Sequence, residues 1–111
     1  MKISLLTIFL FMSAASLTSV AARVWKESEN GQVLWDDNCH FVGYVIGQRP
    51  SRADECGRLC YADPSGRPPC THFTHADGMC YLKRNTDGWK EIDEDGSTCG
   101  FVRGLSAQPL D

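Results

Sequence analysis

The sequence lacks most features that identify an enzyme, a membrane protein or a nucleic-acid-binding protein. Beyond residue 22 no stretch is apolar enough to span a bilayer. There is no G-x-S-x-G motif, no N-x-S/T sequon and no internal repeat. Basic residues are also scarce, because without Lys2 ten of them face 14 acidic residues, a net charge of −4. We therefore predict no nucleic-acid partner and no membrane insertion.

The first 22 residues have the composition of a secretory signal peptide. Lys2 precedes an apolar run from Ile3 to Met12, and small residues follow up to Ala22. The run is about half the ~20 residues that a membrane-spanning helix needs. We predict cleavage after Ala22, which leaves 89 of the 111 residues as one domain at most in an extracellular location. A buried N-terminal helix is the alternative interpretation.

All six cysteines lie in the predicted mature chain; they are Cys39, Cys56, Cys60, Cys70, Cys80 and Cys99. An even number in a short exported chain predicts three disulfides, each worth about 2–4 kcal/mol. Because so short a chain buries only a small core, the bridges supply stability that burial alone does not. The sequence by itself allows fifteen connectivities.

Strands are predicted in the first third of the mature chain and at its end. Residues 33–35 and 41–46 are rich in β-branched and aromatic side chains, with a turn expected at 36–38. Residues 84–97 predict a polar, acidic loop, and 98–104 predict a final strand.

One helix is predicted in the middle of the chain. The segment from Ser51 to Asp54 has the pattern of a capping box with Ser51 as the N-cap. The helix is expected to run to about Ala62. Cys56 and Cys60 are four residues apart and share one helical face, so two disulfides there would hold that face against the rest of the protein.

Residues 70–83, with the sequence CTHFTHADGMCYLK, predict a β-hairpin whose turn is Asp77-Gly78. The turn sets the cross-strand pairs, which are His75 with Cys80, Phe73 with Leu82, Thr74 with Tyr81, and His72 with Lys83. Because side chains alternate across a strand, the hairpin has two faces. The face assigned to the core under the helix carries Phe73, His75, Cys80 and Leu82. The face predicted to be open carries His72, Thr74, Tyr81 and Lys83.

The same hairpin segment contains residues that bind zinc or catalyse reactions in other proteins. Cys70, His72, His75 and Cys80 have a loose zinc-ligand spacing. The two histidines fall on opposite strand faces, however, and an oxidised set of six cysteines leaves no thiolate to act as ligand or nucleophile. We therefore predict no metal, no cofactor and no catalysis.

Two charged segments are also candidate sites. Glu91, Asp93 and Asp95 resemble the start of a calcium loop, but the twelfth position is Val102 instead of glutamate, which favours a solvated acidic loop. The arginines of segment 49–67 suggest binding of acidic glycans, but acidic residues between them cancel most of the field and favour an ordinary solvated helix surface.

The cysteine order and the motifs around it resemble the PAN/apple domain family. The similarity covers about residues 35–103 and is most specific in three places: Cys56-x3-Cys60 on a helix, Cys70-Thr-His-Phe on a strand, and Cys80-Tyr-Leu-Lys on the next strand. The resemblance implies an α+β fold, a curled antiparallel sheet of about five strands cradling one α-helix.

The resemblance also implies the disulfide pairs Cys56–Cys80, Cys60–Cys70 and Cys39–Cys99. Cys70 would then lie just before its regular strand, out of phase with the core face. Family members are mostly binding modules for proteins or carbohydrates. The family has no shared binding-residue motif, so no ligand residues are transferred to this chain.

Together these features predict four segments: a signal peptide (1–22), an N-terminal lead-in (23–34), a PAN/apple-like domain (35–103) and a C-terminal tail (104–111). The predicted function is a secreted, monomeric module that binds extracellular carbohydrate or glycoprotein. The alternatives are a protein-interaction module (an effector, inhibitor or adhesion factor acting on an extracellular protein) and, more remotely, a small hydrolase. The predicted ligand-binding residues are His72, Thr74, Tyr81, Lys83 and Trp89. A solvated sheet face and a tryptophan that caps the core are the alternatives for these residues.

Overall fold

The computed structural model of the chain describes residues 23–63 and 69–105. The predicted signal peptide and its cleavage point lie outside these residues, as do the tip of the loop after the helix (64–68) and residues 106–111. Among the described residues, no helix is long and apolar enough to cross a membrane.

The described chain forms one antiparallel sheet of six strands and one helix, which agrees with an α+β class and exceeds the predicted five strands by one. The elements are β1 (Lys26–Ser28), β2 (Val33–Phe41), β3 (Val45–Pro50), α1 (Ala53–Tyr61), β4 (His72–Ala76), β5 (Met79–Lys83) and β6 (Glu91–Val102). The strand order across the sheet is β1-β2-β6-β4-β5-β3.

The helix α1 begins one residue later than the sequence predicts. Its N-cap is Arg52, whose backbone N–H donates to the Glu55 side chain at 2.9 Å. Ser51, the predicted cap, is held by the hairpin instead: its N–H donates to the Gly78 carbonyl at 3.1 Å, and its own carbonyl bonds the His75 ring at 2.7 Å. These contacts keep Ser51 outside the helix.

The hairpin β4–β5 has the predicted turn and register. Asp77 and Gly78 both have positive φ, as a two-residue turn of this kind requires. The observed pairs include His72 with Lys83 and His75 with Cys80. Local turn chemistry thus placed every side chain of the hairpin on the expected face.

The helix packs on one face of the sheet, here called the helix face. Its buried core contains Val33, Phe73, Leu82 and Val102 together with four half-cystines. Two disulfides join helix to sheet, Cys56–Cys80 and Cys60–Cys70. The third, Cys39–Cys99, joins β2 to β6. These are the three pairs that the resemblance implies.

The strands β2 and β6 are longer than predicted, and both bend. The expected turn at 36–38 is an irregularity within β2, where the pairing with β6 shifts between Asp37 and Cys39. Asn38 has a positive φ there, and its side chain accepts a hydrogen bond from Gly96 N–H at 3.0 Å. The predicted acidic loop is shorter than expected, because β6 already begins at Glu91.

Beyond this bend, residues 39–41 of β2 pair with 91–93 of β6 and form what we call the arm. The arm lies over the sheet face opposite the helix: Phe41 N–H donates to Thr74 Oγ1 at 3.0 Å, and Lys83 Nζ donates to the Phe41 carbonyl. The predicted single strand 41–46 is therefore divided, with Phe41 ending β2 and Val45 beginning β3.

The predicted lead-in, 23–34, is part of the fold. It contains β1 and the start of β2, and Trp25 packs at 5.2 Å (ring centroid to ring centroid) against Phe101. A chain that lacked this segment would lose one edge of the sheet and part of the core under the arm.

Candidate functional site

The hairpin face that was predicted to be open is closed. His72 and Thr74 have no exposed surface, Lys83 is 1% exposed, and Tyr81 is half-buried. The expectation that this face is open to solvent is therefore wrong. The physical reason is the arm, which covers the polar side of β4 and β5 in place of solvent.

Trp89, the fifth predicted ligand-binding residue, is also enclosed. It is fully buried, and its indole stacks on the His72 ring with 3.9 Å between centroids and 6° between planes. Phe41 packs against the same indole at 5.5 Å. Trp89 is thus a core-capping residue, one of the two interpretations that its sequence position allows, and has no exposed surface on which a ligand could stack.

Two titratable groups are enclosed beneath the arm. Burial, helped by the nearby Lys83 charge, lowers the pKa of His72 to about 3, and its Nδ1 lies 2.8 Å from Thr71 Oγ1. Burial also lowers the pKa of Lys83 to about 8, although Glu94 opposes that effect. At neutral pH the site holds a neutral imidazole and a largely charged amine. Neither group reaches solvent, so neither can act on a substrate in this conformation.

The other candidate constellations of the sequence are not assembled as sites in the described part of the chain. His72 and His75 point to opposite faces, as expected, and all six cysteines are in disulfides. Within residues 23–63 and 69–105, no group of three or more His, Cys, Asp or Glu side chains is arranged to hold a metal ion. Asp93 and Asp95 are exposed on β6, which is a strand and not a calcium-binding loop.

Two of the three described arginines of segment 49–67 lie beside acidic side chains. Arg52 forms a two-pronged contact with Asp54, with both N–O distances 3.0 Å. Arg58 lies 3.9 Å from Glu55. Both pairs agree with the interpretation of a solvated helix surface. Arg67, the fourth arginine of the segment, lies outside the described residues.

A pocket of about 270 Å³ opens on the helix face, between the start of α1 and strands β1 and β2. We call it the Trp35 pocket; it is lined by Glu27, Ser28, Trp35, Asp37, Ala53, Asp54, Gly57, Phe73 and Thr98. Its lining is mostly apolar, with carboxylates at several positions. Aromatic walls with a few polar groups are typical of small-ligand sites.

The polar groups of the Trp35 pocket are held in place by neighbours. Lys26 pairs with Trp35 across the two strands, its Nζ 4.9 Å from the indole centroid and 3.1 Å from the Asp37 carboxylate. Asp37 also lies 3.4 Å from Thr98 Oγ1. The hydrogen bond from Arg52 lowers the pKa of Asp54, so that this exposed carboxyl is ionised and accepts hydrogen bonds at neutral pH.

Sequence reasoning missed this pocket. The sequence predicts Trp35 in a strand, Asp37 in a turn and Asp54 in a helix, without indicating that they meet. The period-two spacing of Trp35 and Asp37 along a strand was a signal that they share a face. Only the packing of α1 brings Asp54 to the same place.

No protein-family model matches the chain, and comparison with curated proteins finds no match either. Three disulfides in a domain of this size are typical of extracellular proteins.

Proposed function

We propose that this protein is a secreted, monomeric, PAN/apple-like module that binds extracellular carbohydrate or glycoprotein, and that it does so through the Trp35 pocket. The PAN/apple assignment is supported by the cysteine order, the motifs around Cys70 and Cys80, and a helix tied to the sheet by two disulfides. Secretion is supported by the pattern of residues 1–22 and by the fully paired cysteines.

The single observation that carries the proposal is an indole beside carboxylates in a pocket. A sugar ring has an apolar C–H face and a rim of hydroxyls. Trp35, which is half-buried, offers apolar surface for the first, and Asp37 and Asp54 offer charge-assisted hydrogen bonds for the second. The held positions of these carboxylates reduce the ordering cost of binding.

Asp54 is suited to binding rather than to hydrolysis. A glycosidase needs one carboxylic acid whose pKa is raised so that it can protonate the leaving group. The hydrogen bond from Arg52 moves the pKa of Asp54 in the opposite direction. A carboxylate of this kind accepts hydrogen bonds from sugar hydroxyls and is a poor general acid.

A glycan array tests the proposal. The wild-type mature protein is compared with Trp35→Ala and with Tyr61→Ala, which removes an exposed aromatic side chain from α1 outside the pocket lining. We expect glycan signals that Trp35→Ala abolishes and Tyr61→Ala preserves. Circular dichroism of both variants checks folding. The proposal fails if no glycan binds, or if folded Trp35→Ala binds as the wild type does.

A second candidate function is a protein-interaction module, and a different surface favours it. Val42, Tyr44 and Val45 are 39%, 51% and 51% exposed in and beside the turn between β2 and β3. The neighbouring strand β3 is at the edge of the sheet, where an extended segment of a partner could pair. A partner captured from extracellular material that Tyr44→Ser releases, and that free sugars do not compete, would support this function over carbohydrate binding.

A further inference from the structure

We infer that the Trp35 pocket selects an uncharged sugar residue and excludes acidic sugars. This inference rests on the proposed function and adds the class of ligand. It depends on the charges around the pocket, on the size of the pocket, and on the acidic side chains that already lie at the start of α1.

The charges that line the pocket are of one sign. Among the described residues of its lining, acidic side chains occur at three positions and none is basic. Each of these acidic side chains is already paired with a cation: Arg103 lies 3.6 Å from Glu27, Lys26 Nζ lies 3.1 Å from Asp37, and Arg52 bonds Asp54 through two nitrogens. An acidic group on the ligand would therefore have to compete with these carboxylates for their cations, because no basic side chain occurs in the described lining.

The start of a helix is a place where anions often bind, because its free N–H groups and dipole attract negative charge. In α1 the protein's own acids already fill that role. Asp54 and Glu55 lie in the first turn, and Glu55 closes the capping box on the Arg52 N–H. The helix start therefore adds little attraction for an acidic ligand.

The size of the pocket limits the ligand to a small group. Its volume of about 270 Å³ lies just below the range of roughly 300–1,000 Å³ that is usual for drug-sized ligands. A single ring at the end of a chain is the part of a glycan that this space suits. Hydroxyls on that ring can donate to Asp37 and Asp54, whose carboxylates only accept.

A cationic ligand, such as a lysine or arginine side chain of a protein, is the competing occupant. It would have to displace Lys26 from Asp37, Arg52 from Asp54 or Arg103 from Glu27. One ion pair would then replace another, with little gain in binding free energy. A neutral hydroxylated ring can bind without breaking any of these ion pairs. The geometry thus favours the neutral sugar.

The test uses matched glycan pairs, in which one member ends in an unmodified hexose and the other carries a sialic acid or a sulfate on that end. Calorimetric titration of the mature protein measures both. We expect the neutral member to bind at least about tenfold more tightly, and this ratio to shrink as salt is raised. The variant Asp37→Asn should weaken neutral binding and also narrow the ratio, because one repelling charge is gone. The matched control is Asp87→Asn, the same charge change at an exposed position outside the pocket lining, and it should leave both affinities unchanged.

A variant that blocks the pocket, Ala53→Phe, independently tests whether glycans bind in the Trp35 pocket. It adds bulk to the pocket lining without removing a carboxylate, and it should weaken all glycan binding about tenfold or more. Sugar binding that Ala53→Phe and Trp35→Ala leave unaffected would overturn the site.

The remaining outcomes separate the two claims. Equal binding of neutral and acidic members, or a ratio that Asp37→Asn does not change, would overturn this inference while carbohydrate binding stands. The absence of binding to any glycan would overturn the proposed function and the inference with it. Binding of a lysine-rich peptide that Asp37→Asn abolishes, with no glycan bound, would show that the pocket takes cations.

Discussion

The two faces of the sheet are buried in different ways. On the helix face, apolar side chains such as Phe73 and Leu82 meet a helix that two disulfides hold in place. On the other face, which we call the arm face, buried polar groups meet the bent ends of two strands. There Thr74 and Lys83 bond the backbone N–H and carbonyl of Phe41.

This difference follows from what covers each face. A helix satisfies its own backbone hydrogen bonds, so an apolar surface can pack against it. A bent strand presents backbone groups that lack strand partners on one side, and buried backbone groups need partners. Polar side chains on the arm face supply them. A polar stripe on a strand therefore does not always mark a solvated surface.

The largest expected effect concerns His72 on the arm face. Its folded-state pKa of about 3 lies below its ordinary value of 6.5, mainly because burial disfavours the charged ring. Between these values the unfolded chain binds a proton that the folded chain does not, so stability is full above pH 6.5 and falls as the pH approaches 3. The loss attributable to this residue is up to about 5 kcal/mol.

Urea unfolding across this pH window measures the effect in wild type and His72→Phe, which keeps a ring against Trp89. We expect a shallower acid loss in the variant. Replacement of the histidine on the helix face, His75→Gln, is the matched control. Identical acid profiles for wild type and His72→Phe would contradict the buried neutral imidazole.

The next comparison is between the stability losses expected from replacing Trp89 on the arm face and Trp35 on the helix face. Trp89→Ala removes a fully buried side chain from the arm face and should cost about 3–5 kcal/mol in the free energy of unfolding. Trp35 is half-buried beside its pocket, and Trp35→Ala should cost about 1–2 kcal/mol. Thermal and urea unfolding give both values. Equal losses would mean that the arm does not enclose Trp89 in solution.

Lys83 should have a third, smaller effect on stability, at alkaline pH instead of acidic pH. Burial lowers its pKa from 10.5 to about 8, so between these values the unfolded chain holds a proton that the folded chain has released. Stability should therefore rise by up to about 3 kcal/mol as the pH increases from 8 to 10.5. Lys83→Met should remove this rise, whereas Lys90→Met, at an exposed position, should keep it. A rise that survives in Lys83→Met would place its cause in another group.

The smallest expected difference lies between two disulfides. Cys39–Cys99 closes a loop with a sequence separation of 60 at the base of the arm, and Cys60–Cys70 closes one of 10 beside the helix. From chain entropy alone, replacing both cysteines by alanine should lower the free energy of unfolding by about 4 kcal/mol for Cys39–Cys99 and by about 3 kcal/mol for Cys60–Cys70. Urea unfolding of the two double variants measures this. A larger cost for the short loop would show that packing on the helix face outweighs loop closure.

The sequence predicted the local parts of this fold well. The Asp77-Gly78 turn correctly set the hairpin register, because the turn type and the period of two are local properties. The helix was placed to within one residue. Its N-cap was missed because Ser51 bonds Gly78 and His75, contacts that come from a segment more than twenty residues away.

The nonlocal parts of the fold could not be predicted from such local signals. Alternation correctly separated the two sides of the hairpin, but exposure was assigned to the polar side by the usual rule for antiparallel sheets. The bend at Asn38 and the arm reversed that assignment. Trp35 and Asp37 were visible as neighbours on one strand, yet nothing in the chain around them indicates that α1 would form the opposite wall.

By itself the sequence determined the helix, the hairpin with its register, and which residues share each strand face, because these depend on contacts between near neighbours. It also determined that six cysteines were available to pair. Tertiary structure alone decided which face was covered by the arm, that His72 and Lys83 are buried, and that Trp35 and Asp54 share a pocket. Those outcomes depend on where strands bend and how a helix docks, and these are properties of the whole packed chain.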